Sequence, residues 1–248
     1  MSEMGQRAHY RELPVGRELA DRVECVWDRR DDDGSVLIVP DGCLDLIWLD
    51  SRELVLAGAD RGPRSGPASP GRLTSGIRFR PGAAGSVIDL PAQEVVDQMV
   101  PADLLWPTAA RRLTDELSAA RPEDQLACLT RFVGSRPGSA DRLVSEAALI
   151  LSRGEDRVST VAARLGLSER QLHRRTVRAV GYGPKMLSRV LRLRRLHTLA
   201  GPSLADMAQQ AGYASQAHMS DDVRALTGMT PVRFLEYRGR RAALAWTP

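Results

Sequence analysis

Three basic side chains near residue 170 have the types and the spacing needed to read DNA bases. Arg170, His173 and Arg174 lie three and four residues apart, so a helix would bring them to one face. An arginine can donate two hydrogen bonds to O6 and N7 of guanine, which discriminates against other bases by about 1–3 kcal/mol. The set therefore predicts a base-reading helix in the major groove of DNA. The alternative is a charged helix face that contacts only water.

The helix that would carry these side chains belongs to a motif that occurs twice. In the first copy a short amphipathic helix, Ser159–Leu165, ends at Gly166, a residue suited to a left-handed turn. Ser168 then opens the first recognition helix with the spacing of a capping box. In the second copy a helix capped by Ser203 is followed by a turn and by a second recognition helix that Ser215 opens. The two copies predict tandem helix-turn-helix units.

A long spacer helix, predicted over Pro184–Ala200, separates the two units. At 1.5 Å per residue it would be about 25 Å long, whereas successive major grooves on one face of DNA are about 34 Å apart. The mismatch implies tilted units or bent DNA. In the second unit Gln216 and His218 are the expected base contacts. Asp221 and Asp222 would be repelled by phosphate, unless Asp221 accepts a hydrogen bond from a cytosine amino group, so this unit is expected to contribute less affinity.

Charge is divided unequally along the chain. Residues 1–150 carry 18 arginines and 24 acidic residues, net −6, whereas residues 151–248 carry 16 arginines, one lysine and 7 acidic residues, net +10. A basic segment of this size is typical of a surface for a polyanion such as DNA, and the alternative is a solvated basic face. Arg194 and Arg195 are expected to divide between phosphate and solvent. The other expected phosphate contacts are Ser168, Arg175, Arg178, Arg189, Arg192 and Ser215.

An ordered set of residues runs through the last hundred positions. It consists of Ala162–Gly166, Leu167-Ser168, Gln171-Leu172, Gly181, Pro184-Lys185, Ala208, Ala211-Gly212-Tyr213, His218, Leu226-Thr227-Gly228 and Thr230-Pro231. This set resembles the AraC/XylS family of bacterial transcription regulators. The resemblance implies that Arg170, His173 and Arg174 occupy base-reading positions.

Two motifs in the front half extend this resemblance. They are Pro40-Asp41-Gly42-Cys43-Leu44-Asp45-Leu46-Ile47 and Gly76-Ile77-Arg78-Phe79-Arg80-Pro81-Gly82. Both are similar to the N-terminal domain found on a subset of these regulators. The resemblance implies a cupin-like sensor or dimerisation domain.

Turn residues and apolar periodicity predict an α+β protein with two domains. Short strands are expected at Val36–Val39, Cys43–Leu49, Leu54–Ala57, Gly76–Arg80 and Ser86–Leu90, with an exposed loop over Arg61–Ser75. Helices are expected over Thr108–Ala120, Glu123–Val133 and Ala140–Leu151, with a hinge at Gly134–Ser139. The predicted domains are a small β-barrel or cupin-like domain over residues 1–107, a helical connector over 108–145 and an all-α DNA-binding domain over 146–248. In the last of these a long helix joins the two helix-turn-helix units.

The β-rich part offers few residues for chemistry. Trp27, Trp48, Arg78 and Arg80 are candidates for the lining of an effector pocket, and the alternative is that the tryptophans belong to the core. His9 is the single histidine before residue 150, so a metal-dependent cupin is not expected. No metal site and no cofactor are predicted.

Cysteine usage and hydropathy predict a cytoplasmic protein. Cys25, Cys43 and Cys128 form no CxxC pair, which favours reduced thiols, and Cys43 is either a thiol sensor or a buried structural cysteine. No apolar run approaches the length of about 18 residues that suggests a membrane-spanning helix. The first residues lack a cationic leader followed by an apolar block, so no secretion signal is expected.

These observations favour a sequence-specific transcription regulator over an enzyme. The expected partner is double-stranded DNA, with a small-molecule effector or a second copy of the chain as further candidates and no membrane. One alternative is a nucleic-acid-associated enzyme with its chemistry in the N-terminal domain, which would need an activated nucleophile or a metal cluster there. Another is a protein-interaction module whose basic helices bind an acidic partner.

Overall fold

The chain passes from a β-rich first part to a helical second part near Pro107. The computed structural model describes residues 9–30, 35–67, 69–154 and 157–240. Within these ranges every strand precedes residue 102, and the long helices all follow it. The predicted α+β class with two domains is confirmed. The domain limits at 107 and 145 stay a prediction, and those at 1 and 248 lie outside the described residues.

The strands form two antiparallel sheets. Their bounds are β1 His9–Leu13, β2 Val23–Arg30, β3 Ser35–Ile38, β4 Leu44–Leu49, β5 Glu53–Ala57, β6 Arg64–Pro67, β7 Leu73–Phe79 and β8 Met99–Pro101. The larger sheet has six strands in the order β1-β2-β7-β4-β5-β8. The smaller sheet pairs β3 with β6.

The other regular elements of the described fold are helices. Their bounds are α1 Gly85–Ile88, α2 Ala102–Leu105, α3 Pro107–Ala119, α4 Gln125–Ser135, α5 Arg142–Ser152, α6 Val158–Arg164, α7 Glu169–Val180, α8 Pro184–Thr198, α9 Leu204–Gln210, α10 Gln216–Thr227 and α11 Pro231–Arg240. Short 3₁₀ helices lie at Arg17–Leu19, Ala92–Val95 and Pro122–Asp124. Among the described residues no helix has both the length and the apolar character needed to span a bilayer.

Apolar side chains cover both faces of the six-stranded sheet, because successive residues of a strand point to opposite sides. On one face Leu46, Trp48 and Ile77 join the main hydrophobic core. On the other face Trp27 lies in a smaller cluster and pairs across the strands with Gly76. A Cβ on Gly76 would lie 2.3 Å from the Trp27 ring, so the indole occupies the space above the glycine. Both tryptophans are therefore core residues.

Two sequence predictions in the β-rich part are wrong. Ser86–Leu90 was expected as a strand, but Gly85–Ile88 forms the helical turn α1, which Asp89 ends at a φ of +56°. Three apolar residues are too few for periodicity to separate a strand from a helical turn. Arg61–Ser75 was expected as a loop, but it contains β6 and the start of β7. The pairing of β6 with the distant β3 leaves no local signal in the sequence.

One hydrophobic core runs through both parts of the fold. It contains Leu46 and Phe79 of the sheet together with Leu191, Leu196 and Phe234 of the C-terminal helices. The sheet and the recognition units are therefore packed against each other in this structure.

The predicted hinge at Gly134–Ser139 is held in place by hydrogen bonds. The guanidinium of Arg22, which is 8% exposed, donates to the carbonyl oxygens of Arg136 at 3.1 Å and Gly138 at 3.3 Å. The Arg136 guanidinium lies 5.3 Å from the centre of the Trp106 ring. A buried arginine of the first part thus ties this connector to the β-rich domain, and the hinge stays a prediction.

Candidate nucleic-acid interface

The first helix-turn-helix unit has the turn and cap that its sequence predicts. Gly166, between α6 and α7, has a φ of +66°, a left-handed conformation that glycine adopts without a Cβ clash. The Ser168 hydroxyl accepts a hydrogen bond from the Gln171 backbone N–H at 3.2 Å, and the Gln171 side chain accepts from the Ser168 N–H at 2.8 Å. This reciprocal capping box fixes the start of α7, the first recognition helix.

The predicted base-reading side chains of α7 point to solvent. Arg170, His173 and Arg174 are all exposed, and no described residue forms an ion pair with either arginine. The opposite face of the helix is buried through Leu172. A Cβ on Gly183 would lie 2.6 Å from the His173 ring, so the imidazole rests against the start of α8. The two arginines are thus displayed together, with His173 beside them; their contacts with bases stay a prediction.

The predicted phosphate contacts of the first unit divide into exposed and occupied groups. Arg178 and Ser168 are exposed, although the Ser168 hydroxyl already caps α7. Arg175 instead forms an ion pair with Asp141, whose Oδ2 lies 3.0 Å from Nη1. Asp141 is the N-cap of α5, so Arg175 links two helices of the protein. The Arg175 side chain is still 45% exposed, so its contact with phosphate stays a prediction.

The second recognition helix, α10, displays fewer polar groups for bases. Ser215 caps the helix by accepting from the His218 N–H at 3.1 Å, and Gln216 is exposed behind it. The His218 ring turns toward the protein: it packs edge-on against Tyr213 at 5.4 Å, and its Nδ1 accepts from the Ala214 N–H at 3.4 Å. The His218 side chain is thus engaged within the unit while 41% of it stays exposed, and its contact with bases stays a prediction.

Asp221 and Asp222 have different surroundings, although the sequence placed both against phosphate. Asp221 is exposed, whereas Asp222 is 5% exposed and faces α8. Arg189 Nε donates to Asp222 Oδ1 at 2.7 Å, and Arg192 Nη2 lies 3.5 Å from Oδ2. Both arginines were predicted to contact phosphate, and both instead pair with a carboxylate of the protein. Only Asp221 can oppose the DNA backbone.

Arg194 is another corrected residue of α8. It was expected to face phosphate or solvent, but it forms a two-point ion pair with Glu24 of β2. Its Nη1 also lies 3.4 Å from the Asp41 carbonyl oxygen. Burial raises the pKa of the Glu24 carboxyl, but the Arg194 guanidinium together with the charges of Arg78 and Arg80 outweighs that effect, so the pKa is lowered overall. This pair joins the β-rich domain to the spacer helix α8.

A close backbone contact fixes the turn of the second unit. Gly212, at a φ of +85°, and Gly154, at a φ of +75°, approach so closely that a Cβ on Gly212 would lie 2.4 Å from the Gly154 carbonyl oxygen. Gly154 follows α5, which also packs against the spacer helix. The second unit is thus held from two sides, by α5 and by α8.

The four candidates for an effector pocket do not converge. Trp48 and Trp27 lie on opposite faces of the six-stranded sheet. Arg80 is exposed and its Nε donates to the Ala20 carbonyl oxygen. Arg78 lies on the Trp27 face and is occupied by carboxylates. The prediction that these four residues line one pocket is therefore wrong.

Arg78 lies at the centre of a cluster of charged residues in the β-rich domain. Its guanidinium lies 3.1 Å from Glu12, 3.3 Å from Asp41 and 3.1 Å from Asp45. Burial raises the pKa of Asp45 to about 6, and Arg78 only partly offsets this. Three acids on one guanidinium make this cluster a buried structural ion network. Across the described residues no three His, Cys, Asp or Glu side chains are grouped as a metal ion would need.

Comparisons with known proteins identify two parts of the chain. Residues 161–237 match a helix-turn-helix domain, and residues 11–101 match a domain of unknown function, DUF6597. In two strains of Mycobacterium tuberculosis, a probable bifunctional transcriptional activator/DNA repair enzyme AlkA is 32% identical over 143 residues. The match covers 53% of this chain and 28% of the relative, so the chain spans little more than a quarter of the length of these relatives.

Solved structures of ToxT from Vibrio cholerae share a distant likeness with the chain. One has a TM-score of 0.43 at 11% identity and covers 85% of this chain and 95% of its own. Another, with an unsaturated fatty acid bound, has a TM-score of 0.43 at 10% identity and covers 92% and 94%. From the two family matches, the chain carries an AraC-type helix-turn-helix domain behind an N-terminal DUF6597 domain.

Proposed function

We propose that this protein is a sequence-specific DNA-binding transcription regulator that reads DNA mainly with α7. The observation that carries the proposal is the exposed pair Arg170 and Arg174 on a capped recognition helix. Neighbouring arginines at 175, 189, 192 and 194 are occupied by carboxylates of the protein. The exposed pair is thus available for guanine edges in the major groove.

Selection of bound duplexes from a random pool tests this proposal. The tandem units predict a recovered motif of two blocks about one helical turn apart. Failure to enrich any motif would contradict sequence-specific binding. A specific duplex competing no better than a scrambled one would instead favour a module for acidic partners.

Substitutions test the unequal roles of the two units. Arg170→Ala and Arg174→Ala are each expected to weaken binding of the selected duplex about tenfold to a hundredfold, the loss of a bidentate guanine contact. Gln216→Ala removes a neutral contact and should cost less than about tenfold. Arg178→Ala, at an exposed position on the same helix, should weaken all duplexes alike and reduce the salt slope by about 0.9. Equal losses for Arg170→Ala and Gln216→Ala would contradict the asymmetry.

We propose that a small-molecule effector binds between the two parts of the chain. A cleft of about 320 Å³, within the usual range for ligands, is lined by Arg80 of the sheet domain and by Leu149, Leu191 and Arg195 of the helical part. A compound that shifts affinity for the selected duplex in the parent protein should lose its effect in Arg195→Gln. An equal effect on both proteins would contradict this location.

We also propose that the chain is not itself an enzyme. The DNA repair activity in the name of the relatives belongs to proteins of which the matched segment is 28%. Burial raises the pKa of the Cys25 thiol to about 12 and that of the Cys43 thiol well above its ordinary range, which disfavours either as a nucleophile. Release of bases from an alkylated duplex by the purified protein would contradict this.

Location and assembly complete the proposal. We propose a cytoplasmic protein, in line with its free, buried cysteines. A homodimer is proposed from the family resemblance alone. Sedimentation at micromolar concentration tests it, and a purely monomeric species would contradict it.

A further inference from the structure

A buried carboxylate joins the second recognition helix to the spacer helix. Asp222 of α10 accepts a hydrogen bond from Arg189 Nε at 2.7 Å, and its Oδ2 lies 3.5 Å from Arg192 Nη2. Both arginines belong to α8. The Asp222 side chain is 8% exposed and that of Arg192 is 17% exposed, so water competes little for this pair.

Two aromatic groups extend the contact to the turn of the second unit. The Arg192 guanidinium lies 5.3 Å from the centre of the Tyr213 ring, and Tyr213 packs edge-on against His218. His218 Nε2 in turn lies 3.6 Å from Asp222 Oδ2. The carboxylate, the spacer helix and the turn before α10 therefore form one connected network.

The spacer helix is also the frame on which the first unit rests. α7 ends at Val180 and α8 begins at Pro184, with the buried Tyr182 between them. His173 of α7 rests against Gly183, the N-cap of α8. A side chain that fixes α10 on α8 consequently fixes the second recognition helix relative to the first.

We infer that Asp222 is a positioning residue that sets the spacing between DNA blocks that the two recognition helices accept. This inference rests on the proposed function and adds a determinant of its specificity. An ion pair with two arginines defines one position of α10 on α8, because hydrogen bonds and charge pairs have narrow geometry. Without the carboxylate, Arg189 and Arg192 would face each other without a counter-charge, and α10 would lose this restraint.

Asp222→Asn and Asp221→Asn form a matched pair for the test. The two positions are adjacent and lose the same charge, but only Asp222 is buried against α8. Each variant is titrated with the selected two-block duplex, with duplexes that have one or two base pairs inserted or removed between the blocks, and with a single-block duplex for the first unit.

The inference predicts a change in spacing preference rather than a general loss of binding. Asp222→Asn should bind the two-block duplex about tenfold more weakly and respond less to altered spacing, since residues of one network couple strongly. It should bind the single-block duplex as the parent does. Asp221→Asn should keep the spacing preference. A parental spacing profile in folded Asp222→Asn would overturn the inference.

Arg189→Gln provides a second test if Asp222→Asn does not fold. The Arg189 side chain is 37% exposed, and its loss leaves Arg192 beside Asp222. If Arg189 contacted a phosphate, its replacement by glutamine would reduce the salt dependence of binding, by about 0.9 in the slope, on every duplex. The inference instead predicts an unchanged slope and a weaker spacing preference, so the first result would overturn it. If selection enriches no two-block motif, the proposed function is contradicted. If a motif is enriched but the variants keep the parental spacing preference, this inference alone is contradicted.

Discussion

Replacing Glu24 by glutamine should remove an ion pair that holds the β-rich domain on the spacer helix and so lower the stability of the protein. Glu24 and Arg194 form a two-point ion pair in which the side chains are 17% and 16% exposed. Removing one partner of a buried pair costs about 3–5 kcal/mol, because the other charge stays without compensation. Partial exposure and the Asp41 carbonyl, 3.4 Å from Arg194 Nη1, reduce this cost. We expect a loss of about 2–3 kcal/mol for Glu24→Gln.

Thermal and chemical unfolding measure this loss. For a chain of this size 1 kcal/mol corresponds to about 2–4 °C, so the Tm should fall by about 5–10 °C. Glu146→Gln, at an exposed position of α5, is the control and should leave the Tm nearly unchanged. A double-mutant cycle with Arg194→Gln should give a coupling of at least about 1 kcal/mol.

The pH dependence provides an independent check of the same pair. Because the folded pKa of Glu24 is lowered, its stabilisation is present above the unfolded pKa and is lost as the pH falls through the folded pKa. Glu24→Gln should therefore lose its deficit relative to the parent in acid. A Tm for Glu24→Gln within 1 °C of Glu146→Gln at neutral pH, with no coupling to Arg194, would refute the ion-pair argument.

Other residues allow further predictions. Gly212→Ala should destabilise the protein by about 2 kcal/mol or more, because its positive φ and the nearby Gly154 carbonyl leave no room for a Cβ; an unchanged Tm would contradict this contact. Cys25 and Cys43 should react with a disulfide reagent at pH 8 far more slowly in the native than in the unfolded protein, and equal rates would contradict their burial. Burial raises the pKa of Asp60 to about 6, so its contribution makes stability fall as the pH rises from about 4 to 6, and urea titrations should show that Asp60→Asn removes this part of the slope.

The helix-turn-helix units could be predicted from sequence because their signals are local. The cap at Ser168 and the glycine at 166 act within one turn of chain, and both adopt the expected geometry. Helical spacing also puts Arg170 and Arg174 opposite the buried Leu172. Each of these inferences needs only neighbouring residues, so the exposed face of α7 agrees with the one that the sequence predicts.

Partners of charged residues could not be predicted in the same way. Arg194 pairs with Glu24, 170 positions earlier, and no periodicity connects them. Asp222 did carry a usable signal: with Met219, Val223 and Leu226 it forms a stripe at three- and four-residue spacing, the inward face of α10. The charge of Asp222 obscured its place in that stripe. Its charge alone predicts an exposed Asp222, whereas the helix pattern indicates that Asp222 is buried.

The shared hydrophobic core has a consequence for exchanging sensor domains between regulators. Leu46 and Phe79 belong to the same core as Leu191 and Leu196, so the boundary between the two matched families is filled with side chains from both. A chimera that joins this C-terminal half to a foreign sensor would leave these surfaces without their counterparts. Successful grafts would have to carry the contacting residues of both halves.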